Sequence, residues 1–142
     1  MRCRPRYDRK PSQTVRLGSY LGRHRILVIF FDGAAGADQS PVLLRIKREF
    51  EALEQADVKV FSVSDALPQH NRAASGRIGG FPFPLLTDLT RRVHQDWGLA
   101  EDGELRQGVF FIDRAGNVAW NTDRPKPLDD PQTFLDTLVG GN

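Results

Sequence analysis

The fold of this chain is decided by residues 26–64, ILVIFFDGAAGADQSPVLLRIKREFEALEQADVKVFSVS. The unbroken apolar run from Ile26 to Phe31 is typical of a central strand buried on both faces. A loop of small residues follows, then an amphipathic stretch, and then a second apolar run from Val58 to Val63. This order predicts one strand–helix–strand unit.

Ser40 and Pro41 mark the expected start of the helix in this unit. Serine is a good N-cap, and proline fits the first helical position. The apolar residues of one helix face then recur at three- and four-residue spacing: Leu43, Ile46, Phe50 and Leu53. Because sites in α/β sheets form at the carboxyl ends of strands, where a helix N-terminus points, Ser40 lies where chemistry is expected.

The loop 32–39 combines Asp32 with Gly33, Gly36 and three alanines. Its small residues let the backbone approach a ligand closely or simply form a tight turn. Asp32 follows the central strand, so it is a candidate acid at the cleft or a turn former. The Gly-Lys-Ser/Thr sequence of a phosphate loop is absent.

Outside this unit the sequence predicts the element order ββαβα(α)ββα. A short edge strand is expected at 14–17 and an extended segment at 81–88. Helices are expected at 67–77, 89–97 and 131–139, and strands at 109–112 and 118–121. In the extended segment, Phe81 and Phe83 alternate with prolines and are candidates for an exposed apolar lip.

The charge is uneven along the 142 residues, whose net charge is +2. Residues 1–16 hold six Arg or Lys residues and one Asp, which gives this segment +5 and leaves −3 for the rest. We therefore divide the chain into a flexible basic arm, residues 1–12, and one domain, residues 13–142. An arginine-rich arm can bind a polyanion, but a solvated tail is the more ordinary interpretation.

Cys3 is the single cysteine of the chain. An intramolecular disulfide and a cysteine-based zinc site are therefore excluded. Neighbouring arginines favour the Cys3 thiolate, so this thiol is a candidate for reactivity. No apolar run approaches the roughly 18–20 residues of a membrane span, and no secretory h-region follows the basic start, so a cytoplasmic location without membrane attachment is expected.

The three histidines are His24, His70 and His94. They show no His-x-x-x-His or His-x-Glu spacing, so no metal site is predicted. A hydrolase triad through Ser40 is also disfavoured, because no Gly-x-Ser-x-Gly elbow surrounds it.

Several pieces of the sequence resemble the peroxiredoxin superfamily in order and spacing. These pieces are Val15-Arg16-Leu17 with Tyr20-Leu21-Gly22, Leu27 to Phe31, Phe61 to Ser64, Phe81-Pro82-Phe83-Pro84-Leu85-Leu86-Thr87-Asp88 with Val93 and Trp97-Gly98-Leu99, and Phe110-Phe111-Ile112-Asp113 with Gly116. The resemblance covers roughly residues 13–121. It implies a thioredoxin-like α/β fold with a mixed central sheet and helices on both faces, and a thiol-dependent antioxidant activity that reduces hydroperoxides without a cofactor.

The family's catalytic residue types do not carry over. Its proline, threonine and peroxidatic cysteine fall near Gly33, Ala37 and Ser40, and its arginine falls near Gln107, with Arg106 adjacent. Serine lacks the reversible sulfenic chemistry of a thiol and needs a base to become a nucleophile.

The sequence therefore predicts a non-catalytic binding or regulatory module. We expect it to act as a homodimer or together with a redox or regulatory protein partner. The alternative is a thiol-dependent oxidoreductase that uses Cys3 or a partner's thiol. Another hypothesis is that Arg106 holds an anion in the cleft.

Overall fold

The structure is a computed structural model, and it describes residue 20 and residues 22–122. These residues form a five-stranded sheet, whose strands are β1 (Arg25–Phe30), β2 (Val58–Ser64), β3 (Leu85–Thr87), β6 (Gly108–Ile112) and β7 (Val118–Thr122). The order of the strands across the sheet is β3-β2-β1-β6-β7. Strands β1, β2 and β3 run parallel, whereas β6 and β7 are antiparallel to their neighbours. The predicted mixed sheet is thus confirmed.

The helices lie on both faces of this sheet. They are α1 (Pro41–Arg48), α2 (Phe50–Gln55), α3 (Pro68–Gly76) and α4 (Arg92–Asp96), and a short 3-10 helix, Ala37–Gln39, precedes α1. Leu27 and Ile29 of β1 pack in one core with residues of α1, α2 and α3. Ile26, Val28 and Phe30 pack in a second core with Val93 of α4. Alternate residues of β1 serve the two faces, which explains why its sequence is apolar throughout.

The helix predicted after Ser40 is interrupted once. Glu49 has φ −100° and ψ 12°, and this residue separates α1 from α2. The apolar face nevertheless continues across the break, because Leu43, Ile46 and Leu53 are all buried. The helix predicted at 89–97 is also shorter than expected, because Arg91 adopts a left-handed conformation and α4 begins after it.

A two-stranded hairpin was missed by the sequence analysis. Strands β4 (Ala100–Glu101) and β5 (Glu104–Leu105) pair antiparallel. Asp102 and Gly103 join them with φ values of 55° and 80°. Positive φ at both central residues is the signature of a type I′ turn, and Asp-Gly is one of its preferred sequences.

The proposed apolar lip does not form. Phe83 is buried in the core, and Phe81 is half-buried against it, with the Lys47 ammonium 5.8 Å from the centre of the Phe81 ring. The predicted strand at 14–17, the C-terminal helix, the arm and the boundary at residue 13 lie outside the described residues. No helix within residues 22–122 is long and apolar enough to cross a membrane.

Candidate functional site

Ser40 is the N-cap of α1, as the sequence predicts. Its backbone is extended, with φ −87° and ψ 114°, and its Oγ accepts a hydrogen bond of 3.2 Å from the Leu43 N–H. The residue is 9% exposed. Since the hydroxyl satisfies one of the amide donors that a helix start leaves unpaired, this contact gives Ser40 a structural role.

We expect Ser40→Ala to lower the free energy of unfolding by about 0.5–2 kcal/mol, because the Leu43 N–H loses its acceptor. Chemical denaturation of the variant and the wild type measures this change. Ser75→Ala, inside α3, is the matched control and should leave stability unchanged or slightly raised, since alanine is the better helix former there. An unchanged stability in Ser40→Ala would contradict the capping role.

Gly33 and Ala37 are the loop residues that the sequence resemblance places near the family's proline and threonine. Both are tightly enclosed. Ala37 is fully buried. A Cβ added to Gly33 would stand 2.9 Å from the Ala66 backbone nitrogen and 3.0 Å from both Asp65 Oδ1 and Ser64 Oγ. Backbone is one of these neighbours, so the loop leaves no room for a larger residue at position 33 without rearrangement.

Asp38 places a carboxylate two residues before Ser40. Arg77 donates to it through Nε at 2.8 Å and through Nη2 at 3.2 Å, and Gln39 donates through Nε2 at 3.2 Å. The hydrogen bond from Arg77, which outweighs the opposing effect of burial, lowers the pKa of Asp38 to about 2. Asp38 is therefore ionised at neutral pH, and Arg77 is committed to it.

A cavity of about 260 Å³ brings together four of the predicted site residues. They are Asp32, Gly33, Arg106 and Gln107, and Arg91 and Asp65 line the same cavity. Ser40 and Ala37 are not among its described lining residues. The structure thus divides the predicted site into a polar cavity and a buried helix start.

Hydrogen bonds within the protein already engage the charged groups of this cavity. Asp32 Oδ1 accepts from the Ala34 N–H at 3.0 Å, the contact of a turn-forming aspartate. Arg106 Nη2 donates to the Gly98 carbonyl at 2.7 Å. Arg91 spans the cavity wall, donating to Asp65 Oδ2 and to the Gly103 carbonyl, each at 3.2 Å.

Arg91 is a site residue that the sequence analysis missed. Its φ of 64° is unusual for a residue with a side chain, and such backbone strain often occurs at ligand sites. Nothing in its immediate sequence predicts this conformation.

The histidines do not converge on Ser40. His94 Nδ1 lies 2.7 Å from Asp88 Oδ2, and both side chains are buried. His24 Nδ1 lies 2.9 Å from Asp57 Oδ1, and His70 is exposed on α3. Across the described part of the chain, no group of three His, Cys, Asp or Glu residues could hold a metal ion. Cys3 lies outside the described residues.

Comparison with known proteins gives a consistent result. The model of the AhpC/TSA family matches residues 5–121. The chloroplastic 2-Cys peroxiredoxin BAS1 of Hordeum vulgare is 22% identical over 116 residues, which cover 76% of this chain and 55% of that protein. The chloroplastic 2-cysteine peroxiredoxin of Chattonella marina var. antiqua is 28% identical over 118 residues, covering 77% and 60%. The chain thus spans little more than half the length of these relatives.

Solved structures show the same fold. The mitochondrial 2-Cys peroxiredoxin of Plasmodium falciparum superposes with a TM-score of 0.76 at 20% identity, covering 90% of this chain and 81% of that one. Mycobacterium bovis AhpC gives 0.72 at 19% identity, covering 89% and 74%. Because the family model covers most of the sequence, the chain belongs to the AhpC/TSA family and has the thioredoxin-like fold of the peroxiredoxins.

Proposed function

We propose that this domain is a peroxiredoxin-family binding or regulatory module without peroxidase activity. The observation that carries the proposal is a contact of Ser40, which the sequence resemblance places near the position of the peroxidatic cysteine. Its Oγ caps α1 by accepting a hydrogen bond from the Leu43 N–H. A hydroxyl in this role is neither a thiolate nor next to a described base that could activate it. It also cannot form the sulfenic acid through which a thiol reduces a peroxide.

The other residues of the predicted site support the same conclusion. Cleaving an O–O bond is helped by donors that stabilise the negative charge developing on the leaving oxygen. Ala37 offers no side-chain donor, and Gln107 lacks the charge of the family's arginine. Arg77, the C-cap of α3, is paired with the Asp38 carboxylate.

The polar cavity beside Gly33 is the proposed binding surface of this module. Arg91 and Arg106 both line it, and we propose that Arg106 holds an anion there. For the partner we propose a second copy of the chain or a redox or regulatory protein. Binding of a polyanion by residues 1–12 stays a prediction. The cytoplasmic location also stays a prediction, because the similar proteins include a chloroplastic and a mitochondrial one.

With dithiothreitol or thioredoxin as the electron donor, we expect the wild-type protein to leave the rate of hydroperoxide loss unchanged. That rate should equal the background rate of the reductant without the protein. The spectrophotometric loss of peroxide measures this, and Cys3→Ser is assayed in parallel because Cys3 is the only thiol in the chain. Turnover in the wild type that disappears in Cys3→Ser would replace the proposal by the alternative of an oxidoreductase that uses Cys3.

A further inference from the structure

The β4–β5 hairpin supplies part of the wall of the polar cavity. Gly103 of its turn, Leu105 of β5 and Arg106, the residue after β5, all line this cavity. Other parts of the lining come from the loop after β1 and from Asp65, the residue that follows β2. Arg91, between β3 and α4, lines the cavity as well. The position of the hairpin therefore determines the shape of the cavity.

The hairpin is too short to fix its own position. Its strands have two residues each, Ala100–Glu101 and Glu104–Leu105, and the turn Asp102-Gly103 between them is exposed. An isolated two-stranded hairpin is at best marginally stable in water. At its base, the Arg106 N–H donates to the Leu99 carbonyl at 2.7 Å. This bond closes the hairpin but does not hold its turn against the rest of the domain.

Arg91 connects the turn to the rest of the domain. Its Nη1 donates to the Gly103 carbonyl at 3.2 Å, and its Nη2 donates to Asp65 Oδ2 at 3.2 Å. Among the residues that the structure describes, this is the one hydrogen bond from outside the hairpin to its turn. Because a guanidinium is planar and rigid, its two bonds fix the turn relative to the end of β2.

The backbone of Arg91 supports a role for its side chain. Its φ of 64° and ψ of 13° lie in the left-handed region, which is unfavourable for a residue with a Cβ. Strained conformations persist where the surrounding contacts hold them, and the two bonds of the guanidinium are contacts of this kind. A glycine would adopt this backbone without strain but could not reach Asp65 or Gly103. The guanidinium therefore explains the arginine better than the turn does.

We propose that Arg91 is a positioning residue that holds the β4–β5 hairpin against the polar cavity and thereby places Arg106 in the cavity wall. When the guanidinium leaves the Gly103 carbonyl, the hairpin is free to move away from the cavity. The inference rests on the proposed function only in taking this cavity as the binding surface. The hold on the hairpin is measured without a ligand, so its failure would be distinct from a failure of Arg106 to bind an anion.

Amide hydrogen exchange of the full chain, followed by NMR, tests the proposal. The Arg106 N–H is the reporter because its bond to Leu99 closes the hairpin, and the amides of β1 report on global unfolding. Arg91→Ala should speed exchange of the reporter by about two- to fivefold, the size expected for an exposed ion pair, and leave β1 unchanged. Arg92→Ala is the matched control. It removes a neighbouring guanidinium that is 76% exposed and 3.9 Å from Asp96, so the reporter should not change.

Asp65→Ala tests whether the connection runs through Arg91. It should also speed exchange of the Arg106 N–H, but it should add nothing in the Arg91→Ala background, where the connection is already broken. The proposal would be overturned if Asp65→Ala left the reporter unchanged or acted equally in both backgrounds. Equal exchange of the reporter in Arg91→Ala and Arg92→Ala would overturn it as well.

Arg91→Gly separates the side chain from the backbone strain. This variant lacks the guanidinium but adopts the left-handed conformation without cost, so it should speed exchange of the Arg106 N–H as Arg91→Ala does. Wild-type exchange in Arg91→Gly would contradict the proposal, because the guanidinium would then have no part in holding the hairpin.

Discussion

Replacing Asp88 by alanine is expected to lower the free energy of unfolding by about 3–5 kcal/mol. Asp88 is 3% exposed and has three hydrogen-bond partners. It accepts from the Val93 N–H at 3.2 Å and the His94 N–H at 2.8 Å, which caps α4, and it lies 2.7 Å from His94 Nδ1. An ionised carboxylate only accepts, so Nδ1 is the donor in that contact. The alanine would leave three buried N–H groups without this acceptor.

Asp96→Ala is the matched control for this variant. Asp96 belongs to the same helix, but its side chain is 53% exposed, and its pairing with Arg92 is long, at 3.9 Å. Its loss should change the free energy of unfolding by less than about 0.5 kcal/mol, as for other exposed pairs. Urea denaturation of both variants measures the difference. If Asp88→Ala cost no more than Asp96→Ala, the buried pair would not stabilise the fold.

The same carboxylate should make the stability depend on pH. Burial acts to raise the pKa of Asp88, but the hydrogen bonds from the His94 ring and from the His94 and Val93 N–H groups outweigh it and hold the pKa below the ordinary value of 3.8. A carboxyl with a lowered folded-state pKa stabilises the protein above its unfolded pKa and loses this contribution as the pH falls through the folded value.

The difference in unfolding free energy between the wild type and Asp88→Asn should therefore stay constant above the ordinary carboxyl pKa of 3.8 and narrow as the pH falls below it, because the protonated aspartic acid resembles asparagine. Denaturation at several pH values measures the gap. A gap that widened on acidification would contradict the lowered pKa.

Phe30→Ala should have an effect of similar size, about 3–5 kcal/mol, because it leaves a cavity beneath the same helix. Phe30 is 1% exposed at the end of β1. Its ring centre lies 5.0 Å from that of His94, 5.3 Å from Trp97 and 5.8 Å from Phe110. The surrounding rings cannot close a space of this size without leaving their packed arrangement.

Leu89→Ala is the comparison for the Phe30 variant. Leu89 is also a large apolar residue of this region, but it is 52% exposed. Its truncation should cost less than about 0.5 kcal/mol. Thermal unfolding of both variants gives the comparison. A loss below about 1 kcal/mol in Phe30→Ala would mean that the aromatic cluster relaxes around the missing ring.

The parts of the fold that were predictable are those with local causes. The run Ile26 to Phe31 predicts a buried strand because each face of β1 meets a separate core. Ser40 and Pro41 predict the start of α1 because capping depends only on residues within one turn. The turn between β4 and β5 has an equally local cause, because Asp102-Gly103 is a preferred sequence of a type I′ turn. This dipeptide was sufficient to predict the hairpin.

The composition of the site was less predictable because its contacts join residues distant in sequence. Asp38 and Arg77 are 39 positions apart, and the pair forms only when α3 packs beside the 3-10 helix. Asp65 and Arg91 are 26 positions apart. The sequence resemblance also predicted that these site residues share one cleft. In the structure, Arg106 and Gln107 line a cavity whose described lining includes neither Ser40 nor Ala37.

The central claim is that the entire site, and not only its nucleophile, has departed from a peroxidase. Hydroperoxide consumption by Ser40→Cys in a Cys3→Ser background tests this most directly, since the introduced cysteine is then the only thiol. We expect a rate no higher than that of an ordinary free thiol, because Ala37 and Gln107 carry no charged donor that could stabilise the leaving oxygen. Rapid turnover by this single change would contradict the claim, because it would mean that the site had lost its cysteine and nothing else.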